Sequence, residues 1–228
     1  MGKNLRQQRR GKGTAVYKSP SHRYLGEIKY EETTGGTVVD IVDAPGRNAP
    51  VAVIDSNGKH IMNIAHEGMQ LGQNIGESAA ASGNILELGK IPEGSKIYNI
   101  ELHSGDGGRL CRSSGAFATL IAHEKGKSVL LLSSREKKIL SDNCRATIGS
   151  VASSGRTEKP FRTAGQHSMA MRALGKYYPH VKGVAKNAVD HPFGGSTRPG
   201  KQKSVSRDMP PGKKVGSISP KRTGKKKK

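Results

Sequence analysis

The chain has 228 residues, and its 39 lysine and arginine residues against 18 aspartate and glutamate residues give it a net charge of +21 at pH 7. Aromatic residues make up 4% of the chain and tryptophan is absent, which excludes a single large aromatic-rich core. A positive excess of this size attracts phosphate polymers. The longest aliphatic run, residues 129–132, is far too short to span a bilayer, so we expect a cytoplasmic protein without a membrane partner.

The charge is unevenly distributed along the chain. Residues 1–24 hold seven basic and no acidic residues, and residues 151–228 hold 19 basic and three acidic residues. Residues 25–150 hold 13 basic and 15 acidic residues, which is the balance of an ordinary globular body. Blocks of like charge repel each other until a counter-charge is bound. We therefore expect the two ends of the chain to bind a polyanion.

The first segment, residues 1–24, is predicted to be a basic N-terminal arm. Its arginines crowd around two glycines, and no helical or strand period is visible. The sequence Gly11-Lys12-Gly13 lacks the spacing of a phosphate-binding loop and is not followed by an apolar helix. We interpret the arm as a segment that lies on RNA; the alternative is a terminus that is merely flexible.

Residues 25–88 have the pattern of short strands. Residues 51–55 and 59–64 flank an Asn57-Gly58 pair, and residues 37–43 form a further strand-like run. An Asn-Gly pair between alternating apolar runs is a strong hairpin signal. Short strands with frequent glycine turns favour a small barrel over an open sheet.

The next stretch, up to residue 155, repeats this pattern. Its glycine-rich segment, residues 105–108, joins two apparent strands rather than a strand and a helix, so we do not interpret it as a nucleotide-binding loop. Strands about ten residues apart predict a second small barrel. The strand-like runs lie at residues 97–102, 116–122, 128–132, 137–140 and 145–151.

Residues 156–228 do not show the alternation of apolar and polar residues that is typical of strands. A short helix is predicted at residues 168–174, with Gly175 ending it. Beyond Gly195 the chain consists mostly of Lys, Arg, Ser, Pro and Gly. Such a tail cannot bury enough apolar area to offset the entropy of ordering, so we expect it to be disordered in isolation.

No pattern in the sequence points to a cofactor, a metal ion or a small-molecule substrate. The two cysteines, Cys111 and Cys144, fit no zinc spacing and are expected to be buried thiols in a reducing compartment. The histidines have no ligand spacing, and no Ser, His and Asp set is recognisable as a triad. We therefore expect neither catalytic residues nor enzyme activity.

Several motifs together indicate a family. They are IPEG at residues 91–94 with NIEL at 99–102, RSSG at 112–115, CRATIG at 144–149 and VKGVAKNAVDHPFGG at 181–195. In order and spacing the chain closely resembles the universal large-subunit ribosomal protein "L-two" family over nearly its whole length. The short N-terminal region and residues 210–216 resemble the archaeal and eukaryotic branch.

The resemblance implies a mainly β fold. It implies an OB-like small barrel at residues 25–88 and an SH3-like small barrel at residues 89–158, with long irregular basic N- and C-terminal extensions, the latter at residues 159–228. It further implies a structural constituent of the large ribosomal subunit that binds large-subunit rRNA and other ribosomal proteins. Such a protein supports association with the small subunit at the intersubunit face and reaches towards the peptidyl-transferase centre in translation.

RNA binding is expected of the cations at both ends and of residues 183–195, which we name the Asp-His-Pro loop. Arginine can bridge phosphate oxygens bidentately and stack on bases, whereas lysine acts as a point charge. Glycines in the loop would let its main chain approach the RNA backbone. The predicted RNA-binding residues are Arg6, Arg9, Arg10, Arg112, Arg145, Arg172, Lys182, Lys186, Asn187, Asp190, His191, Gly194, Gly195, Arg198, Lys213 and Lys214.

His191 is interpreted as an RNA contact rather than a catalytic group. Histidine can move protons near neutral pH. Asp190 could orient it only if the fold brings the two side chains together, because adjacent residues in an extended segment point apart. The resemblance places both residues in the family's Asp-His-Pro motif, while Phe193 stands where bacterial members usually have a second histidine. A hydrogen bond from the imidazole to a base or a phosphate is the simpler explanation.

Two other functions remain open at this point. A free nucleic-acid-binding protein with basic tails would bind duplex DNA as tightly as rRNA, but it leaves the two barrels and the Asp-His-Pro loop unexplained. An RNA-modifying enzyme that uses Asp190 and His191 would need a cofactor pocket, and no motif supplies one.

Overall fold

A computed structural model describes residues 2–31, 35–76, 80–195 and 203–222. The chain forms two compact units: unit 1 contains Met1–Pro20 and Thr163–Lys228, and unit 2 contains Ser21–Arg162. The fold is mainly β, and its antiparallel sheets are curled as in barrel-like domains, which confirms the predicted fold class.

Unit 2 begins with a four-stranded antiparallel sheet of order β3-β2-β1-β4. The predicted hairpin is present between β2 and β3, and Asn57 and Gly58 have φ angles of 52° and 81°. Two consecutive positive φ angles are what a type I′ hairpin turn requires. The strands are β1 (Gly36–Val42), β2 (Val51–Ser56), β3 (Lys59–Ile64) and β4 (Asn74–Ile75).

The second sheet of unit 2 has six strands: β5 (Ile85–Glu87), β6 (Lys96–Tyr98), β7 (Ala118–Glu124), β8 (Lys127–Leu131), β9 (Lys137–Ser141) and β10 (Arg145–Ile148). Their order is β5-β10-β6-β7-β8-β9, and every pair is antiparallel. Because β5 pairs with β10, the second sheet begins before residue 89, where we predicted the second barrel to begin.

The predicted strand at residues 97–102 is shorter in the structure. Strand β6 ends at Tyr98 because Asn99 adopts the left-handed conformation, with a φ of 49°. The chain then continues as an irregular buried segment in which Ile100 forms an isolated bridge with Leu110. Glu101 in this segment is fully buried. Because consecutive residues of this segment are buried, the segment does not have one buried and one exposed face as the predicted strand would.

The core consists of aliphatic side chains that pack within each sheet and between the two sheets of unit 2. One cluster occupies the interior of the six-stranded sheet and includes Ile97, Leu120 and Leu130. Another joins the two sheets, because Val51 and Ile64 of the first sheet pack with Tyr98 and Val151. The buried hydroxyl of Tyr98 donates to the carbonyl of Ile64 at 2.9 Å, which satisfies its polar atom.

Unit 1 contains α1 (Arg6–Gly11), α2 (Ala164–Ala173) and a short parallel pair, β11 (Ser204–Val205) with β12 (Ser217–Ile218). The predicted helix is confirmed as part of α2, which begins earlier because Thr163 caps it by accepting from the N–H of Gln166. Gly175 follows its C-terminus with a φ of 62°. Helix α1 was not predicted, since its sequence has no apolar stripe.

Both thiols are free in the structure. Cys144 is buried and Cys111 is partly buried, and burial raises the pKa of each thiol. A raised pKa keeps a cysteine protonated and unreactive. Among the described residues, no group of three or more His, Cys, Asp or Glu is arranged to hold a metal ion, and no helix is long and apolar enough to cross a membrane.

Candidate nucleic-acid interface

Almost all of the net charge belongs to unit 1. Unit 1 holds 22 basic and two acidic residues, whereas unit 2 holds 17 basic and 16 acidic residues. A strong positive field therefore surrounds unit 1, and unit 2 is close to neutral. Concentrated positive charge on one part of a molecule is the electrostatic footprint of nucleic-acid binding, which makes unit 1 the candidate interface.

Helix α1 holds three of the predicted RNA-binding arginines. Arg6, Arg9 and Arg10 are all exposed. Leu5, just before the helix, is only 3% exposed, and its backbone N–H donates to Gln8 Oε1 at 2.7 Å. The buried leucine anchors the helix while the glutamine satisfies one of its unpaired backbone donors. The result is a short helix that presents its arginines to solvent.

Three aromatic rings of unit 1 form a row that we name the ring ladder: Tyr17, Tyr177 and His180. The centroids of Tyr17 and Tyr177 are 6.1 Å apart with a 23° angle between the ring planes. Those of Tyr177 and His180 are 5.8 Å apart with a 20° angle. The guanidinium of Arg9 lies 5.8 Å from the Tyr177 centroid, within range of a cation–π interaction.

The Asp-His-Pro loop makes its own backbone hydrogen bonds. The N–H groups of Asp190 and His191 donate to the carbonyl of Asn187 at 2.9 and 3.2 Å. The N–H of Gly195 donates to the carbonyl of Lys186 at 3.0 Å and so joins the two ends of this turn. The loop therefore has a defined shape in the protein alone, although its sequence has too few apolar residues to form a core.

Two glycines of the loop lie against its own atoms. A Cβ at Gly194 would collide with the carbonyls of Lys186 and Asn187, and a Cβ at Gly183 would collide with the imidazole of His191. Gly194 is buried, whereas Gly195 is exposed. The need for glycine at 183 and 194 thus arises within the loop, and an approach of RNA to Gly194 and Gly195 stays a prediction.

The side chains of Asp190 and His191 have different partners. The carboxylate of Asp190 pairs with Lys3 Nζ at 3.1 Å. Nδ1 of His191 accepts from the backbone N–H of Phe193 at 3.0 Å, which places the proton of the neutral ring on Nε2. Burial, and secondarily the charge of Lys186, lowers the pKa of His191, which favours this neutral form. The imidazole is thus oriented by Phe193.

The other predicted residues of unit 1 lie at its surface to different degrees. Arg172, Lys182, Asn187 and Lys213 are exposed, and Lys186 and Lys214 are half-buried. Arg198 lies outside the described residues. Arg172 belongs to the last turn of α2, where the helix dipole favours a cation.

The two predicted residues of unit 2, Arg112 and Arg145, are engaged inside the protein. Arg112 donates to the carbonyls of Gly108 and Ile28 at 2.7 and 3.1 Å, and burial lowers its pKa. Arg145 pairs with the fully buried Glu101 at 3.1 Å. Both guanidinium groups therefore stabilise the fold, and their contact with RNA stays a prediction.

Comparison with known proteins identifies the chain. Residues 81–214 match the family model described as Ribosomal Proteins L2, C-terminal domain. Over 99% of its length the chain is 50% identical to the large ribosomal subunit protein uL2 of Methanothermobacter thermautotrophicus, of which it covers 99%. The chain belongs to the ribosomal protein L2 family.

Other relatives place the chain in the archaeal branch of the L2 family, as predicted. It is 49% identical to the large ribosomal subunit protein uL2 of Haloquadratum walsbyi, and the match covers 99% of this chain and 97% of that protein. It is 48% identical to the uL2 protein of Haloarcula marismortui, with 99% and 98% of the two chains covered.

Sequence reasoning missed two features of this L2 family member. The ring ladder joins Tyr17 to residues about 160 positions away, and single-sequence patterns carry no signal for such a contact. The ion pair between Glu101 and Arg145 was also missed, although both residues belong to the recognised motifs. A charged residue within an apolar run, as Glu101 is between Ile100 and Leu102, signals a buried partner.

Proposed function

We propose that this chain is a structural constituent of the large ribosomal subunit that binds large-subunit rRNA directly. In this proposal it also contacts other ribosomal proteins, supports association with the small subunit at the intersubunit face and reaches towards the peptidyl-transferase centre. The L2 family consists of structural constituents rather than enzymes, and in archaea the ribosome is cytoplasmic.

The concentration of charge on unit 1 is the observation that carries the rRNA-binding proposal. Eight of the predicted RNA-binding residues in the described part of unit 1 are Lys or Arg, and they lie on α1, on α2, in or beside the Asp-His-Pro loop and near β12. They are spread over the two ends of the chain that unit 1 brings together. Such a distribution suits a long, irregular phosphate surface better than a single small anion.

Sedimentation of a lysate of the source organism tests the proposal. Because the contacts would belong to one particle, we expect the protein to co-sediment with the large subunit at moderate ionic strength, and not with the small subunit. Equal distribution over both subunits, or migration at the top of the gradient, would instead support the alternative of a free nucleic-acid-binding protein. A competition in which duplex DNA displaces the protein from rRNA at equal concentration would support the same alternative.

The loop is proposed to act beyond RNA affinity, and His191→Ala tests this. The change removes the acceptor of the Phe193 N–H and the ring that packs over Gly183. Loss of one such hydrogen bond is worth about 0.5–1.5 kcal/mol. We expect rRNA affinity within about twofold of wild type, but subunit joining or peptide-bond formation by reconstituted large subunits reduced about 2- to 10-fold.

His103→Ala is the matched control, because His103 is an exposed histidine of unit 2 outside the loop. This control should leave both readouts unchanged. Full activity of reconstituted subunits carrying His191→Ala would remove the proposed role of the loop while leaving the rRNA-binding proposal intact.

A further inference from the structure

A cavity in unit 1 forms a groove of about 1060 Å³. All three rings of the ring ladder line it, together with Tyr178. The groove lies between the N-terminal arm, α2 and the segment that follows α2. None of the predicted functions uses its aromatic surface, so the groove has no role yet.

The rings are held in place by the protein. The hydroxyl of Tyr17 donates to the carbonyl of Arg6 at 3.3 Å. Tyr178 packs against His167, with ring centroids 4.4 Å apart. Tyr17 and Tyr177 are half-buried, whereas His180 is exposed at one end of the ladder. Nearly parallel rings in a row already have the arrangement of stacked bases, and their open end can be extended by one more flat ring.

The charges around the groove have one sign. Arg6, Arg10 and Lys176 are among the residues that line it, and no lining residue is acidic. A flat aromatic surface bordered by cations is the pattern by which proteins hold single-stranded nucleic acid: the bases stack on rings and the phosphates meet the cations. A peptide segment would instead need carboxylates to match these charges and would gain little from parallel rings.

We propose that this groove binds an unpaired nucleotide of single-stranded RNA, whose base stacks on the ring ladder. Arg6 and Arg10 meet the phosphates on either side of that nucleotide. The inference rests on the proposed rRNA binding and adds the chemical class of the ligand, an unstacked base within a single strand rather than a duplex. Every nucleobase has a flat face, so the groove holds bases with little regard to sequence.

Binding of a short oligoadenylate RNA of about eight nucleotides to the full chain tests the inference. A strand of the same length without bases is the matched ligand. We expect the wild-type chain to bind the abasic strand about tenfold more weakly. Fluorescence anisotropy of a labelled strand gives the affinity. Because the chain has no tryptophan, tyrosine emission also reports stacking on the rings.

Variants assign the effect to the rings. Tyr177→Ala should weaken oligoadenylate binding about tenfold without changing the dependence of affinity on salt, because no phosphate contact is lost. Tyr177→Phe keeps the ring and should restore binding to within about twofold. Met169→Ala, at a residue of α2 that is 76% exposed and does not line the groove, is the control. If Tyr177→Ala misfolds, His180→Ala provides the second test, because it removes the exposed ring of the ladder and should also weaken oligoadenylate binding.

Three results would overturn the inference: equal affinity of the wild-type chain for the oligoadenylate and the abasic strand, no effect of Tyr177→Ala and His180→Ala, or no binding of the oligoadenylate at all. Sedimentation separates these from failure of the proposed function. If one of these three results is obtained while the wild-type protein co-sediments with the large subunit, only the inference fails. If the wild-type protein is absent from large subunits, the proposed function fails.

Discussion

Arg145→Ala is expected to lower the free energy of unfolding by about 3 kcal/mol. The change removes the positive charge beside Glu101, whose side chain is fully buried, while the side chain of Arg145 is 24% exposed. It also removes the hydrogen bond of 2.8 Å from the guanidinium to the carbonyl of Glu31. The backbone N–H groups of Gly105 and Gly107 still donate to the carboxylate, which keeps the effect near the lower end for a broken buried pair.

Urea denaturation followed by circular dichroism measures this effect. Lys137→Ala removes the same charge from an exposed position on β9 and should change the free energy of unfolding by less than about 0.5 kcal/mol. If Arg145→Ala also stays below about 1 kcal/mol, the pair is solvated in solution. The same variant also tests the predicted RNA contact of Arg145. If the folded variant binds rRNA with normal affinity, that contact is contradicted.

The affinity of the full chain for large-subunit rRNA is expected to fall about 10³- to 10⁵-fold between about 50 and 200 mM salt. Eight of the predicted RNA-binding residues in the described part of unit 1 are Lys or Arg, and each phosphate that they neutralise releases condensed counterions. Replacing Arg6, Arg9 and Arg10 together by alanine should make the slope of log affinity against log salt shallower by about two to three.

The matched control is the triple alanine variant of Lys125, Lys127 and Lys137, three exposed cations of unit 2 that lie outside both basic ends of the chain. It loses the same charge, and its slope should remain that of the wild type. Filter binding at four or five salt concentrations gives all three slopes. Equal changes in both triple variants would contradict the assignment of the interface to unit 1, because the net charge alone would then determine affinity.

Local chemistry made the elements of unit 2 predictable. The Asn57-Gly58 pair determines a turn whose two positive φ angles few other residues adopt, so the hairpin could be read from six or seven residues on either side. The end of β6 could not be predicted from the sequence, because the apolar pattern continues past Asn99. Only the tertiary packing shows that the chain changes direction there. The pairing of β5 with β10 depends on residues nearly 60 positions apart and has no local signal.

The candidate site was predictable in its composition but not in its arrangement. Counting charges located the basic ends of the chain, and the resemblance identified the Asp-His-Pro loop. Neither indicates that Lys3 pairs with Asp190 or that Tyr17 reaches Tyr177, because unit 1 combines the two ends of the chain. The prediction that Asp190 and His191 point apart unless the fold joins them agrees with their separate partners, Lys3 and the backbone of Phe193.

Unit 1 consists of two segments that are far apart in the sequence, which affects when it can fold during synthesis. A chain is synthesised from its N-terminus, so the arm emerges first and must wait for residues after 163 before its own partners exist. Unit 2, which is continuous and nearly neutral, can fold in the interval. Unit 1 can close only after residues beyond 163 have been synthesised, and its positive charges repel one another as it does so. The surface that we assign to RNA therefore forms after unit 2 has been synthesised, and we expect a polyanion that neutralises its charges to favour its closure.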